Sequence, residues 1–373
     1  MQELIFEIIN NLPTECVYVT FQSEMLRTRI RCYSNLCNRS ILQFAEVMNK
    51  AFACNNVSVY NIEAYIIEDE LLFSRTVERL NLMDSVDTEV VERFNEKMVS
   101  TSVLKRSEDG NYYLMQCYEY FLYIFDKCNR RCYMIVKNNK KAITMVNILL
   151  LTPYLMYGDL FAVHGGLVNK GDRNVLISNS SLGGKTTFAI LFASNGWNII
   201  TEETTYITRR GAILPYNIRN YFNIRLGTYL TFRDYFLEKN VVNEAFLKMA
   251  DLDEDQWFAY GKQSQMALDF DILGTYLSNP HMYISHFLKV SINKNQQLDI
   301  QACLPKESVD SFMDLSLGPT VMLFEELLDF VICDQGQRRK DLEKIFNSTH
   351  NYLLHSGFDY KKQFKVIVEQ VGL

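Results

Sequence analysis

The first 140 residues alternate between apolar and polar positions with the periods of strands and helices. Residues 16–21 and 26–33 alternate with a period of two and predict strands, whereas residues 40–52 carry apolar side chains at helical spacing. Two short apolar runs, residues 62–67 and 71–74, flank three acidic residues and predict a hairpin. This mixture predicts an N-terminal α+β domain.

Aromatic side chains dominate the strands predicted next. A helix is predicted to begin at Asp87, and residues 112–117, 120–125 and 131–136 predict an antiparallel meander. The apolar run of residues 143–163 is interrupted by polar residues, proline and glycine. It therefore predicts a buried helix of about four turns and not a membrane span.

The most informative pattern lies in residues 163–207, where the strand and helix periods alternate around a small polar loop. Residues 175–177 predict a buried strand, and residues 188–192 predict a helix that Gly196 ends in a left-handed conformation. Residues 197–200 predict a second buried strand. The order strand, loop, helix, strand is typical of nucleotide-binding α/β proteins.

The loop between the first strand and the helix is close to the phosphate-binding pattern G-x-x-x-x-G-K-[ST], with Asn179 in place of the first glycine. Its backbone N–H groups and the positive end of the helix would surround a phosphate. Lys185 would reach the β- and γ-phosphate oxygens, and the Thr186 hydroxyl would coordinate Mg²⁺. The predicted nucleotide-binding residues are Ser180, Ser181, Leu182, Gly183, Gly184, Lys185, Thr186 and Thr187. For the loop alone, a glycine- and serine-rich turn with a solvated lysine is the alternative.

Two carboxylates, Glu202 and Glu203, follow the second buried strand and precede a predicted hairpin of residues 205–214. Ligands of open α/β sheets bind at the carboxyl ends of the strands. Glu202 could therefore hold Mg²⁺, and Glu203 could accept a proton from an attacking hydroxyl. A solvated acidic turn is the alternative for this dipeptide.

Together these features resemble the kinase domain of HPr kinase/phosphorylase and the related P-loop kinases that accompany peptide-modification gene clusters. The pieces that match this family are His164-Gly165, residues 175–178, residues 179–186, Gly196 and Glu202-Glu203. The resemblance covers residues 145–305 and departs from the family at Asn179 and in having Glu for Asp at both acidic positions. It implies an α/β fold with a P-loop core of the HPr kinase and PEP carboxykinase type.

The length of 373 residues allows two or three domains. The resemblance implies an N-terminal α+β domain over residues 1–140 that recognises substrate, and a P-loop kinase-like domain over residues 141–315. For residues 1–140, a structural domain without a ligand is the alternative. Residues 316–373 would be a C-terminal helical segment that caps the sheet or forms a homo-oligomer contact. Its predicted helices are residues 319–334 and 337–354.

The resemblance implies an enzyme that uses ATP, or another nucleoside triphosphate, with Mg²⁺ to transfer the γ-phosphoryl group to a hydroxyl. The expected acceptor is a serine of a peptide or small protein. In this hypothesis Lys185 holds phosphate, Thr186 and Glu202 serve Mg²⁺, and Glu203 is the base. His164 lies beside Glu203 to tune or orient it, and a buried structural histidine at a strand end is the alternative. The alternatives are a catalytically silent partner that binds nucleotide or peptide in a peptide-modification pathway, and a nucleotidyl transferase.

Beyond the acidic pair, Arg219 and Arg225 lie in segments that the resemblance places near the active site. Either arginine could balance the charge of the transferred phosphate, although a surface ion pair is the usual role of an arginine. Residues 231–249 predict a helix.

The net charge limits the kinds of molecule that the protein is expected to bind, and the cysteine content indicates its cellular compartment. A formal net charge of −6 argues against an overall basic surface that would bind nucleic acid. Arg27, Arg29 and Arg31 nevertheless share one face of a predicted strand, which could meet an acidic peptide or water. The nine scattered cysteines indicate reduced buried thiols, and no secretory signal is visible. A soluble cytoplasmic protein is expected.

Overall fold

The computed structural model describes residues 2–22, 26–51, 60–81, 87–95, 98–106, 110–117, 119–139, 141–156, 159–179, 183–215, 221–253, 256, 265–275, 282–293, 296–316 and 335–373. The described residues form two compact units that divide between Asp159 and Leu160. The predicted boundary at residue 140 lies before the last helix of the first unit.

The first unit begins with a short helix and continues with strands and helices in mixed order. Its elements are α1 Gln2–Asn10, β1 Val17–Gln22, β2 Leu26–Tyr33, α2 Asn35–Ala51, β3 Tyr60–Glu68, α3 Glu70–Asn81, β4 Asp87–Asn95, β5 Met98–Arg106, β6 Tyr112–Cys117, β7 Phe121–Asp126, β8 Arg131–Val136 and α4 Lys141–Met156.

These strands form an eight-stranded sheet in the order β1-β2-β3-β8-β7-β6-β5-β4. Strands β2, β3 and β8 are parallel, and the neighbours on either side pair antiparallel. Phe44 of α2 and Tyr154 of α4 both pack on Phe21 of β1, so these helices cover one face. Helices α1 and α3 bury their apolar side chains against the opposite face, around Tyr133.

The predicted meander of β6, β7 and β8 is confirmed. Two other predictions for this unit are wrong. Residues 71–74 lie in α3 and not in a hairpin strand, and Asp87 begins strand β4 and not a helix. Short apolar runs fit the period of a helix and that of a strand, so the pairing with distant strands decides which of the two forms.

The second unit holds the segment that resembles a nucleotide-binding module. Its elements are β9 Leu160–Val163, β10 Gly165–Lys170, β11 Arg173–Ser178, α5 Lys185–Ala193, β12 Asn198–Thr201, β13 Thr205–Thr208, β14 Ile213–Leu214, β15 Tyr221–Arg225, α6 Leu226–Thr231, α7 Arg233–Glu238, α8 Glu244–Leu247, β16 Gln265–Asp269, α9 Phe270–Leu273, β17 His286–Ile292, β18 Asp299–Ala302, α10 Pro305–Ser316, α11 Gln335–Asn347, β19 His350–Ser356 and α12 Tyr360–Val371.

A six-stranded sheet in the order β12-β10-β11-β17-β19-β18 forms the centre of this unit. Strand β10 is antiparallel to both β11 and β12, whereas β11, β17 and β19 are parallel to one another. Strands β11, β12, β17 and β19 therefore point the same way, and their carboxyl ends lie at one edge. Smaller sheets join β14-β13-β9 and β15-β16.

Helices cover both faces of the six-stranded sheet. Phe188 and Phe192 of α5 and Tyr360 of α12 belong to one apolar core. Phe312 of α10 and Phe346 of α11 belong to the other. The chain is thus a mixed α/β protein, as predicted, and the central sheet is a buried middle layer.

Three helix predictions for this unit need correction or lie outside the described residues. The predicted helix of residues 231–249 is divided into α6, α7 and α8, because Asn240 has a positive φ of 59° and Asn243 caps α8 through Phe246 N–H. The predicted helix of residues 337–354 ends at Asn347, and β19 follows between β17 and β18. The predicted helix of residues 319–334 lies outside the described residues.

The apolar run of residues 143–163 is divided between helix α4 and strand β9. Within the part of the chain that the structure describes, every helix is too short or too polar to cross a membrane.

Candidate functional site

The loop that follows β11 lies at the carboxyl edge of the central sheet and leads directly into α5. Gly184 precedes the helix with a left-handed φ of 96°. A Cβ at this position would lie 2.6 Å from Ile292 Cδ1, and a Cβ at Gly183 would overlap the Asn179 side chain. Both glycines are therefore needed for the path of the backbone. Ser180, Ser181 and Leu182 lie outside the described residues.

Asn179, the departure from the phosphate-loop pattern, has a structural role in this chain. Its side-chain amide donates hydrogen bonds to the backbone carbonyls of Val290 and, at 3.3 Å, Gly183. The first of these bonds joins the loop to β17, and the second joins the beginning of the loop to its end. A glycine could make neither bond.

Lys185 is the first residue of α5 and is buried, with 9% of its surface exposed. Its ammonium donates a hydrogen bond of 3.1 Å to the carbonyl of Asn179, across the loop. The pKa of Lys185 is lowered to about 8, chiefly by burial and also by Arg225, although Glu202 and Glu203 oppose this shift. The lysine is thus a desolvated cation that an additional anion would favour in its charged form.

Thr186 and Glu202 come together from different elements. The Thr186 hydroxyl donates a hydrogen bond of 2.9 Å to Glu202 Oε1. Glu202 follows β12 and is buried, with 8% of its surface exposed. These two oxygens are hard ligands of the kind that Mg²⁺ prefers, and they are the pair that the sequence predicted for the metal.

The described residues contain no group of three or more His, Cys, Asp or Glu side chains that could hold a metal ion. Thr186 and Glu202 fit Mg²⁺ only as a partial set, with phosphate oxygens and water completing the shell. Mg²⁺ bound with a nucleotide is commonly held this way, by few protein ligands.

Glu203 occupies an unusual backbone conformation. Its φ is 69°, and the Thr204 N–H donates a 2.8 Å hydrogen bond to the carbonyl of Glu202. This is a γ-turn with a positive central φ, which is rare and strained for a residue other than glycine. Strained residues of this kind cluster at functional sites.

His164 lies between β9 and β10, and a hydrogen-bond network joins this point to the acidic turn. The His164 carbonyl accepts a bond of 2.8 Å from the Ser178 hydroxyl at the end of β11. The Thr205 hydroxyl donates to the Gly165 carbonyl at 2.9 Å and shares a bond of 2.6 Å with Thr201. The backbone of His164 is therefore at the same edge as the loop and the two glutamates.

The remaining predicted residues have different positions. Arg225 ends β15 and is close enough to lower the pKa of Lys185. Arg219 lies outside the described residues. Thr187 is buried, and its hydroxyl shares a 2.8 Å hydrogen bond with Thr228 of α6, so it helps to pack two helices.

Sequence reasoning missed two partners of the loop, Ile292 and Val290 at the end of β17. They are distant along the chain, and no motif marks them. Only the parallel pairing of β11 with β17 brings them beside Gly184 and Asn179.

No known family model and no curated protein matches this chain.

Proposed function

We propose that this protein is a kinase that uses ATP and Mg²⁺ to phosphorylate a hydroxyl group, most plausibly a serine of a peptide or small protein. The observation that carries this proposal is the contact between Thr186 and Glu202 directly beside the buried Lys185. A solvated turn would leave these side chains in water, whereas here Lys185 and Glu202 are buried and Thr186 is half-buried against Glu202.

Nucleotide binding is assigned to the loop and the first turn of α5. The N-terminus of α5 presents backbone N–H groups and the positive end of a helix dipole, both of which favour phosphate. Lys185 exchanges its bond with the Asn179 carbonyl for bonds to the β- and γ-phosphate oxygens. The burial of Lys185 strengthens this attraction, because charges interact more strongly where water is excluded.

Thr186 and Glu202 would hold Mg²⁺ together with the nucleotide. The metal ion would neutralise charge on the phosphates and orient them for in-line attack. Glu202 keeps the Thr186 hydroxyl oriented before the nucleotide arrives.

Glu203 is proposed as the base. Its carboxylate takes the proton of the acceptor hydroxyl, while the hydroxyl oxygen forms a bond to the γ-phosphorus. The bond from the γ-phosphorus to the β,γ-bridging oxygen breaks, and ADP leaves with that electron pair. The γ-turn at Glu203 would hold this carboxylate at a fixed angle, and His164 is proposed to orient it from the neighbouring strand end.

A silent nucleotide-binding partner is a second candidate, and one observation favours it. Lys185 and Thr186 already have protein partners in Asn179 and Glu202. An arrangement that is satisfied without nucleotide is also suited to binding without turnover.

A cytoplasmic location is proposed with the kinase, because ATP is supplied there and thiols stay reduced. Cys32, Cys37 and Cys132 are buried free thiols. Burial raises the pKa of Cys32 and Cys132 to about 12 and that of Cys37 to about 11. They therefore act as apolar core residues and not as reactive thiolates.

Transfer of label separates these functions. The protein is incubated with a library of serine-containing peptides and with ATP labelled at either the γ- or the α-phosphate. Label from the γ-position alone supports a kinase, and label from the α-position supports a nucleotidyl transferase. Binding of a fluorescent ATP analogue without transfer of either label supports the silent partner.

Lys185→Ala should abolish both binding of the analogue and transfer of label. The matched control is Lys365→Ala, which removes the same charge from a lysine whose side chain is 88% exposed. Unchanged turnover in Lys185→Ala would refute the assignment of the loop.

A further inference from the structure

One face of the first unit's sheet carries a row of arginines beside the edge strand. Arg27, Arg29 and Arg31 alternate along β2 with buried residues, so their side chains point to the same face. Arg31 lies opposite Tyr18 of β1, and Arg29 lies opposite Thr20. Tyr18 is 54% exposed.

The same face continues onto β3 and β8. Glu63 of β3 forms ion pairs with Arg29 at 3.5 Å and with Arg131 at 3.0 Å. The guanidinium of Arg31 lies over the Tyr65 ring, 5.7 Å from its centroid. The arginine face, as we name it, consists of Arg27, Arg29, Arg31, Arg131, Glu63 and Tyr18.

The charge of this face is opposite to that of the protein. The chain has a formal net charge of −6, yet the arginine face carries four arginines and one glutamate, Glu63, which forms ion pairs with Arg29 and Arg131. The nearby Asp126 is buried, and its carboxylate accepts bonds from Asn129. Such a concentration of positive charge attracts acidic groups to one part of an acidic protein.

Strand β1 provides the second feature. It is the end strand of the eight-stranded sheet, and β2 is its one neighbour among the described strands. An edge strand offers unpaired backbone N–H and C=O groups that an extended peptide can use as an added strand. The added strand would lie two strand spacings, roughly 10 Å, from β2. An arginine and a glutamate side chain together can span that distance across the small Thr20.

We propose that the arginine face binds an acidic peptide segment that adds to β1 as a strand. Acidic side chains at alternate positions of the peptide point toward Arg27, Arg29 and Arg31. The side chains at the intervening positions of the peptide then point to the other face of the sheet. The recognition site lies wholly within the first unit and does not depend on phosphoryl transfer.

Single-stranded RNA is a less suitable occupant for this face. Proteins that bind single strands stack bases on exposed aromatic rings. Here Tyr65 and Tyr133 are buried and stack on each other at 5.0 Å, Tyr33 is half-buried, and Tyr18 is the exposed ring among the described residues of this face.

The test measures fluorescence anisotropy at low ionic strength with a labelled dodecapeptide in which glutamate and threonine alternate. The comparison peptide has glutamine in place of glutamate, and a labelled RNA dodecamer of mixed sequence is the third probe. The glutamate peptide is expected to bind and to be released by salt, because the contact is electrostatic. No binding of this peptide, or equal binding of the glutamine peptide, would overturn the proposal, as would tighter binding of the RNA.

Variants locate the site on the protein. Arg27→Gln with Arg31→Gln should weaken binding of the glutamate peptide about tenfold, as expected for two exposed ion pairs. Arg39→Gln with Arg75→Gln is the matched control, because it also removes two charges, from exposed arginines of α2 and α3. An equal loss in the control variant would show nonspecific attraction and contradict the proposal.

Backbone methylation tests the added strand. One peptide carries N-methyl groups on its glutamates, and another carries them on its threonines. In an extended strand the N–H groups of these two sets point to opposite edges, so one peptide should lose binding and the other should keep it. Equal affinity of both methylated peptides would exclude strand addition to β1.

Discussion

Lys185 shows how the site combines burial with charge. A buried ammonium is unfavourable, and its pKa falls to about 8 for that reason. The carboxylates of Glu202 and Glu203 raise the pKa of Lys185, but they offset only part of the lowering that burial causes. In the proposed function, a polyphosphate bound beside the lysine would offset this unfavourable burial, because an adjacent anion stabilises the charged form.

The titration of Lys185 should make the affinity for nucleotide depend on pH. A bound phosphate should raise the pKa of Lys185 above its value of about 8 in the free protein. Nucleotide affinity should therefore be constant below that pH and fall as pH rises through it, by up to about tenfold per unit. Calorimetry at pH above 8 in buffers of different ionisation enthalpy should detect proton uptake on binding.

Lys185→Arg is the control for that experiment, since a guanidinium stays protonated over this range. Its binding should show no proton uptake. Uptake of equal size in the arginine variant would mean that another group titrates, and the role of Lys185 would have to be withdrawn.

The two glutamates should respond differently to the same substitution. Glu203→Gln retains the size of the side chain but cannot accept a proton, so kcat should fall by roughly 10²- to 10⁴-fold with ATP affinity unchanged. Glu202→Gln should instead raise the Mg²⁺ concentration needed for nucleotide binding. Steady-state kinetics and metal titrations measure both effects.

Glu369→Gln controls for the change in charge, because its side chain is 64% exposed on α12. Near-normal rates and metal dependence in both site variants would show that Glu202 and Glu203 form a structural turn only.

At the scale of elements, the loop depends on β17 as much as on its own sequence. The Asn179 side chain bonds to Val290, and Ile292 fills the space beside Gly184. The loop is therefore held between the strand that precedes it and a parallel neighbour from later in the chain.

Gly184→Ala tests this packing. The substitution combines an unfavourable φ of 96° with a Cβ at 2.6 Å from Ile292, so it should destabilise the fold by about 1–3 kcal/mol and weaken nucleotide binding. Gly171→Ala is the matched control, because Gly171 has a φ of 63° and no atom within 4 Å of its Cβ position. Equal losses of thermal stability in the two variants would show that contact with Ile292 is unimportant.

The strands and helices around the loop could be predicted from local pattern. The run of residues 175–177, the small polar loop and the apolar residues 188–192 correspond to β11, the turn and α5. The left-handed stop at Gly196, with φ of 80°, was also predictable, because glycine adopts that conformation without strain.

Elements whose identity depends on distant partners could not be predicted in this way. Residues 350–354 were predicted to belong to a helix but lie in β19, because β17 and β18 offer hydrogen bonds on both sides. The γ-turn at Glu203 and the pairing of Thr187 with Thr228 are likewise tertiary features. The sequence therefore predicted which side chains the candidate site would use, but not the tertiary contacts that hold them in place.

At the scale of the whole molecule, the two proposed sites use different units. The residues assigned to phosphoryl transfer all follow Leu160, and the arginine face lies before Asp159. A substitution in one site therefore should not change the intrinsic affinity of the other, because the two sets of residues belong to different compact units and substitutions at independent sites act separately.

Kinetics with one acidic acceptor peptide test this division. The acceptor is the alternating glutamate and threonine peptide with one serine replacing a threonine. Arg27→Gln with Arg31→Gln should raise the anisotropy Kd of this peptide about tenfold, while kcat and the KM for ATP stay unchanged, because the arginines bind the peptide but do not touch the reacting atoms. Lys185→Ala should abolish transfer but leave the anisotropy Kd of the peptide unchanged. A lower kcat in the arginine variant, or weaker peptide binding in Lys185→Ala, would show that the two sites are one.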